Sequence, residues 1–243
     1  MYYFDKKYLY IILVILGLYF LTSAGQATII GLLLSLPGVI FAMTVHEYAH
    51  AKMADHYGDT TARKQGRLTL NPLAHIDPIG IFLLIVAHIG WGRPVEVNYN
   101  NLTSNKSRGY CEAMISLAGP LANFILATIF TIIFYLIDVL APAFALTKVG
   151  FILMQIIYSA ILVNIGLGVF NLIPLPPLDG EKIFRNIMPY KVKEWLTVNT
   201  NMLQFAFMIL WITGLLGNIV SPVIEIIFNI INWIASLVFG IFI

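Results

Sequence analysis

The sequence has little charge and almost no cysteine, and both shortages narrow the class of protein. Charged residues make up 11% of its 243 residues, whereas a typical soluble domain carries roughly a quarter. Because so few polar side chains cannot cover a surface in water, a soluble globular fold is excluded. The single cysteine, Cys111, excludes an intramolecular disulfide and a thiolate zinc cluster, so a metal site must use His, Asp or Glu.

Apolar residues dominate the rest of the chain. They make up 59% of it, and the mean hydropathy is +0.86. The net charge of +2 gives no indication of a nucleic-acid partner. The apolar composition instead indicates that the lipid bilayer surrounds the chain. Lys6 and Lys7 precede an apolar run as in a signal peptide, but no small-residue cleavage site follows, and a retained first helix is expected. We predict one polytopic membrane domain over residues 1–243.

Six apolar runs approach the roughly 20 residues that a membrane-spanning helix needs. They are Tyr8–Ser23, Ala27–His50, Ala113–Leu140, Gly150–Ile173, Met202–Val220 and Val223–Ile243. A shorter run, Pro78–Trp91, is flanked by Pro and Gly and predicts a re-entrant or interfacial segment. With the N-terminus in the cytoplasm, every Lys and Arg except Lys148 falls on the cytoplasmic side, which favours that orientation.

Two polar stretches flank the short apolar run. Gly66–Asn71 and Arg93–Tyr99 alternate apolar and polar side chains, a pattern typical of half-buried strands. The predicted fold class is therefore all-α integral membrane, with about six transmembrane helices, a small membrane-associated β-sheet at the cytoplasmic face and a re-entrant segment.

The segment Thr44–His50 reads TVHEYAH and ends the second predicted span. His46 and His50 are four residues apart, so on a helix both imidazoles point the same way, which is the zinc-binding H-E-x-x-H spacing. Glu47 projects elsewhere and can act as a general base without being a ligand. The motif alone is equally compatible with a chance match, but ionisable residues at the end of an apolar helix favour function.

Catalytic zinc usually takes three protein ligands, and Asp179 is the best candidate for the third. It lies in NLIPLPPLDG, residues 171–180, where three prolines end the fourth predicted span. The predicted topology places Asp179 at the same membrane depth as His46 and His50. The alternative, that Asp179 forms a turn with Gly180, would be favoured if the histidine motif were absent.

These motifs together resemble the site-2 protease family of intramembrane zinc metalloproteases. The matching segments appear in the family's order and are HEYAH (46–50), NPLAHIDPIG (71–80), SLAGPLANF (116–124) and NLIPLPPLDG (171–180). The resemblance implies that one Zn²⁺ is bound by His46, His50 and Asp179, and that Glu47 activates water. It also implies that Asn171 binds the substrate carbonyl or oxyanion, although capping of the helix end explains Asn171 equally well.

The resemblance further implies regulated intramembrane proteolysis of transmembrane protein substrates. The catalytic core would cover about residues 27–190, with accessory helices in 1–26 and 195–243 and no PDZ or CBS domain. Two alternatives remain at this point: a non-catalytic transporter or scaffold with a residual metal site, and a zinc peptidase acting on lipidated or soluble substrates. Glu47 argues against the first, because a carrier needs no unligated carboxylate between two zinc ligands.

Several polar residues have more ordinary interpretations. His75 is expected to hydrogen-bond to local backbone rather than to support the metal site, and His56 is expected at the interface. His88 is not a predicted ligand. Asn123 and Asn164 lie within predicted spans, where packing between helices is favoured over direct chemistry.

Overall fold

The computed structural model of the chain describes residues 23–78, 80–81 and 92–240. Its main helices are α1 (Ser23–His56), α2 (Arg108–Leu140), α3 (Lys148–Asn171), α4 (Asp179–Arg185), α5 (Tyr190–Val198), α6 (Thr200–Ile212) and α7 (Leu215–Phe239). Single turns of helix occur at Thr61–Lys64, Pro72–Ala74, Tyr99–Asn101 and Pro142–Ala145.

Among the described residues, four helices are long and apolar enough to cross a membrane: α1 from Ile29 onward, α2, α3 and α7. The predicted second, third and fourth spans therefore lie in helices, and the chain is a multi-pass helical membrane protein. The first predicted span, Tyr8–Ser23, and most of Pro78–Trp91 lie outside the described residues.

Helices α1, α2 and α3 pack against one another and form the centre of the bundle. A buried apolar cluster joins α2, α3 and α7 through Ala127, Ile161, Ile165 and Val220. Side-chain caps set where two helices begin: Ser107 accepts a hydrogen bond from the Tyr110 amide and Thr147 accepts one from the Gly150 amide. The bundle brings the C-terminal part of α1 beside the C-terminal end of α3.

The predicted fifth span, Met202–Val220, is wrong. Helix α6 has only 13 residues, which is too short to cross a bilayer. It ends before Gly214, whose φ of +74° is left-handed, a conformation that glycine adopts at little cost. Helix α7 then begins at Leu215 instead of the predicted Val223. Hydropathy alone does not predict this break between the helices, because the residues on both sides of the glycine are apolar.

The predicted β-sheet is also wrong. Neither Gly66–Asn71 nor Arg93–Tyr99 forms a strand in the described structure, and an isolated antiparallel bridge between Ile76 and Gly92 is the pairing found there. Two backbone amides of this segment bond to side chains instead: Val95 donates to Glu47 and Asn98 donates to Asp59. The alternating pattern thus belongs to an irregular segment that is hydrogen-bonded to Glu47 of α1 and to Asp59, which follows α1.

Candidate metal centre

His46 and His50 of α1 and Asp179 of α4 converge on one point. Asp179 Oδ2 lies 3.1 Å from Nε2 of both histidines, and the two Nε2 atoms are 3.0 Å apart. The one-turn spacing on α1 aligns the imidazoles. The residue before Asp179, Leu178, is buried against Phe207 of α6 and Leu216 of α7, which holds the start of α4 against these two helices. The predicted juxtaposition of the three side chains is therefore present.

The outer nitrogens of both imidazoles are held by oxygen acceptors. His46 Nδ1 donates to Asn123 Oδ1 at 2.6 Å, and His50 Nδ1 donates to the Ile115 carbonyl at 2.7 Å. Because these oxygens accept, each Nδ1 carries the proton and each Nε2 keeps its lone pair. Metal-binding histidines are held in this way in known sites. Both imidazoles are thus prepared as neutral ligands.

Asn123 is itself fixed by a second buried amide. Its Nδ2 donates to the Ala42 carbonyl and to Asn164 Oδ1, both at 3.0 Å. Asn164 Nδ2 in turn donates to the Ala160 carbonyl at 2.8 Å. Since a carbonyl can only accept, this chain fixes the orientation of both amides and presents Asn123 Oδ1 to His46. The sequence analysis assigned Asn123 and Asn164 to packing between helices and did not predict that Asn123 contacts His46. Their spacing in the sequence gives no indication of that contact.

Gly119 leaves room for the histidines where α2 crosses α1. A Cβ atom added to Gly119 would lie 2.4 Å from His50 Nε2 and 2.7 Å from His46 Cε1, closer than any such contact in real structures. The hydrogen atom of glycine therefore opens the space in which the ligand atoms meet.

The donor set suits zinc. Two imidazoles and one carboxylate, with ligand atoms all within 4.8 Å of one another, match the ligand types and number of a catalytic zinc site. Burial alone would raise the pKa of Asp179, but when His46 or His50 is protonated its hydrogen bond and charge outweigh burial and lower that pKa. Asp179 is therefore available as an anionic ligand.

Glu47 is placed differently from the three convergent side chains. Its Oε2 accepts a hydrogen bond from the Val95 amide at 2.7 Å. Glu47 also lines a cavity of about 700 Å³ that His46 and Asn171 line as well. The rest of the wall is mainly apolar and includes Met43 of α1, Val163 and Phe170 of α3, and Trp211 and Leu216 near Gly214.

Asn171 is the last residue of α3. Its Nδ2 donates to the Leu167 carbonyl, one turn back, at 3.0 Å. This bond is the capping interaction that the sequence offered as an alternative, while the side chain still faces the cavity that Glu47 lines. An amide nitrogen has a second hydrogen to donate, so the two roles are compatible.

The two other histidines in the described residues, His75 and His56, lie away from the convergent group. His75 is fully buried and donates from Nε2 to the Thr69 carbonyl at 2.8 Å, as expected of a local backbone contact. His56 ends α1 and lines a separate polar pocket with Tyr57 and Lys106. His88 lies outside the described residues.

A bundle of membrane-length helices around a His–His–Asp group and a neighbouring carboxylate defines the class of membrane-embedded metallopeptidases. Residues 145–213 match peptidase family M50. No solved structure matches the chain significantly.

Three relatives carry the provisional name of zinc metalloprotease. YwhC of Bacillus subtilis is 38% identical over 190 residues, which cover 77% of this chain and 84% of YwhC. Rip2 of Mycolicibacterium smegmatis is 32% identical over 154 residues, 61% of this chain and 54% of Rip2. MJ0611 of Methanocaldococcus jannaschii is 29% identical over 172 residues, 70% of this chain and 79% of MJ0611.

The chain belongs to peptidase family M50, the site-2 protease family. It is an intramembrane zinc metalloprotease, and its substrates are membrane-bound. The resemblance drawn from the motifs is thereby confirmed.

Proposed function

We propose that His46, His50 and Asp179 hold the zinc ion and that Glu47 is the general base. The convergence of the three ligand atoms beside a cavity that also contains Glu47 carries this assignment. Zinc, when bound, polarises a peptide carbonyl and acidifies water. The protein's own contribution is the fixed tautomer of each imidazole and a carboxylate in reach of the same space.

Glu47 takes a proton from the attacking water and later gives it to the nitrogen of the leaving amine. Its Oε2 is engaged by Val95, and Oε1 has no hydrogen-bond partner within the described part of the chain, so Oε1 is the oxygen that receives the proton. Asn171 donates its second amide hydrogen to the substrate carbonyl as negative charge develops there.

The proposed substrates are transmembrane segments of membrane-anchored proteins, cleaved in regulated intramembrane proteolysis. Met43, Val163 and Phe170 give the cavity an apolar wall suited to apolar side chains. A helical substrate hides its peptide bonds in hydrogen bonds, so the segment must unwind locally before a carbonyl reaches the site.

The proposed orientation places the site toward the cytoplasm in the cell membrane. Apart from Lys148, which begins α3, the described Lys and Arg residues lie in segments at the same end of the bundle as His46 or in loops joined to that end. Basic loops stay in the cytoplasm. The loss of the fifth span leaves this argument intact, because no Lys or Arg follows Lys193.

We retain one polytopic domain over residues 1–243, with a catalytic core at about 27–190. The described part supports this core, because the contributing residues lie on α1, α2, α3 and α4. Residues 195–243, proposed as accessory helices, also reach the cavity through Trp211 and Leu216.

The substrate class is tested with two fluorogenic substrates that share one cleavage sequence. One carries it in a transmembrane segment reconstituted in lipid, and the other carries it in a soluble peptide. We expect faster cleavage of the transmembrane substrate, at sites within or next to the apolar segment. Preferential cleavage of the soluble peptide would instead favour a peptidase acting on soluble substrates.

Asn123→Ala is expected to weaken zinc binding by about 10- to 100-fold, the usual cost of losing a residue that orients a metal-binding histidine. The cause is the loss of the Nδ1 acceptor for His46. Zinc affinity is measured by competition with a chelator. Asn232→Ala is the matched control, since Asn232 bonds only to its own helix, at Phe228, in the described structure. Equal zinc affinity in both variants would refute the role of Asn123.

A further inference from the structure

A short segment fastens Glu47 in place. Residues 92–98, here called the strap, contain no helix or strand residues beyond the bridge at Gly92, and they lie beside the C-terminal part of α1. At its middle, the Val95 amide donates to Glu47 Oε2 at 2.7 Å. A backbone donor fixes one carboxylate oxygen and therefore the direction of the other.

The strap is held firmly before Val95. Arg67 Nη2 donates to the Arg93 carbonyl at 2.6 Å and to the Pro94 carbonyl at 3.3 Å. The Arg93 amide donates to the His75 carbonyl at 2.8 Å. These contacts hold Arg93, two residues before Val95, between the buried Arg67 side chain and the loop that contains His75.

The strap is also held after Val95. The Asn98 amide donates to Asp59 Oδ2 at 2.8 Å, and Asp59 is fully buried. Burial would raise the pKa of Asp59, but hydrogen bonds from Thr61, Asn98 and Asn101 outweigh burial and lower the pKa. The Asn98 amide, three residues after Val95, is therefore bound by an ionised carboxylate.

Arg67 is unusual because it is a buried cation that bonds to backbone carbonyls. It is only 8% exposed. Burial and the nearby Arg93 lower its pKa, and the charge of Glu47 offsets this lowering only in part. Burying a charged group is costly, and the strap carbonyls are what Arg67 contacts in return.

We propose that the strap positions the general base. The Val95 amide directs the Glu47 carboxylate, and Arg67 and Asp59 hold the strap so that this amide stays in place. Arg67 is thus a positioning residue that acts on the reaction through residues 93–95. The inference rests on the proposed role of Glu47, and it adds that the base is oriented by a backbone donor that no side-chain pattern reveals.

Val95→Pro tests the proposal because it removes the amide hydrogen while keeping an apolar residue. Val95→Ala is the matched control, since it shortens the side chain and keeps the donor. We expect kcat of Val95→Pro to fall by about 10- to 100-fold, because a catalytic group misplaced by about 1 Å can cost about 100-fold in rate, with KM and zinc content close to wild type. Val95→Ala keeps the amide hydrogen and should lose much less kcat than Val95→Pro. Equal kcat in the two variants would overturn the proposal.

Arg67 supplies an independent test that stands if Val95→Pro does not fold. Arg67→Met removes the donors to the strap and is expected to lower kcat with zinc retained. Arg67→Lys keeps a donor and should recover part of the rate. Wild-type kcat in zinc-loaded Arg67→Met would contradict the proposal, as would equal losses in the Met and Lys variants.

Glu47→Gln separates this proposal from the one it rests on. If Glu47→Gln remains active, the assignment of the base fails and the positioning role fails with it. If Glu47→Gln is inactive while Val95→Pro and Arg67→Met match the wild type, only the role of the strap is wrong.

Discussion

Glu47→Gln is expected to bind zinc like the wild type and to cleave a transmembrane substrate at least about 100-fold more slowly, the lower end of what general-base catalysis contributes. The amide cannot accept a proton from water at neutral pH. It still accepts the Val95 hydrogen bond through its oxygen, so the local structure is retained. The measurement pairs single-turnover cleavage with zinc content on the same sample.

The control for Glu47→Gln is the same chemical change at Glu194, an exposed residue on α5. Glu194→Gln should cleave at the wild-type rate. Full activity of Glu47→Gln would contradict the assignment of Glu47 as the base. Loss of zinc from Glu47→Gln would instead show that Glu47 takes part in metal binding, which the convergence of His46, His50 and Asp179 does not predict.

Gly119→Ala is expected to abolish zinc binding and, with it, cleavage. The added methyl group would lie 2.4 Å from His50 Nε2, in the space where the ligand atoms meet. Helices α1 and α2 are tightly packed here, and overpacking a buried contact costs typically about 1–3 kcal/mol. Moving either histidine side chain relieves this close contact at less cost than separating the two helices. We therefore expect zinc binding to be lost while the protein still folds.

Gly31→Ala is the matched control for Gly119→Ala. A Cβ atom at Gly31, also in a membrane-length helix, meets nothing within 4 Å. The control should keep zinc and activity and should not be less stable, because alanine favours helix over glycine. A zinc-loaded, active Gly119→Ala protein would show that the ligands do not lie where the structure places them.

The histidine part of the site could be predicted from sequence because it is local. His46 and His50 lie one turn apart on a single helix, and helical geometry alone aligns them. Asp179 is 129 residues from His50, and no local rule pairs the two. Its prediction depended on the proline-broken end of the fourth span, on the inferred topology and on the resemblance to a family.

The supporting contacts of the site could not be predicted in the same way. The bond from His46 to Asn123 and the bond from Glu47 to the Val95 amide join distant segments. The first depends on the rotation of α2 against α1. The second depends on a backbone donor, which every residue except proline carries and which therefore leaves no trace in the sequence.

The two errors in the fold have related causes. Alternation in Arg93–Tyr99 reports one covered side and one open side, which a strand satisfies but an irregular segment fastened to α1 satisfies as well. The high hydropathy of Met202–Val220 predicts that these residues lie in an apolar surrounding, but it does not predict that they form one continuous helix. Gly214 allows a left-handed turn there, and the chain uses it to bring Trp211 and Leu216 to the cavity.

The central claim is that one zinc ion is held by His46, His50 and Asp179. X-ray absorption at the zinc edge of the purified, active protein tests it most directly. We predict imidazole nitrogen at about 2.0–2.1 Å and carboxylate or water oxygen at about 2.0–2.2 Å, with no sulfur in the coordination sphere. Asp179→Asn should alter the oxygen shell and leave the scattering from two imidazoles intact. Scattering from a single imidazole or from sulfur, or an active protein without zinc, would contradict the assignment.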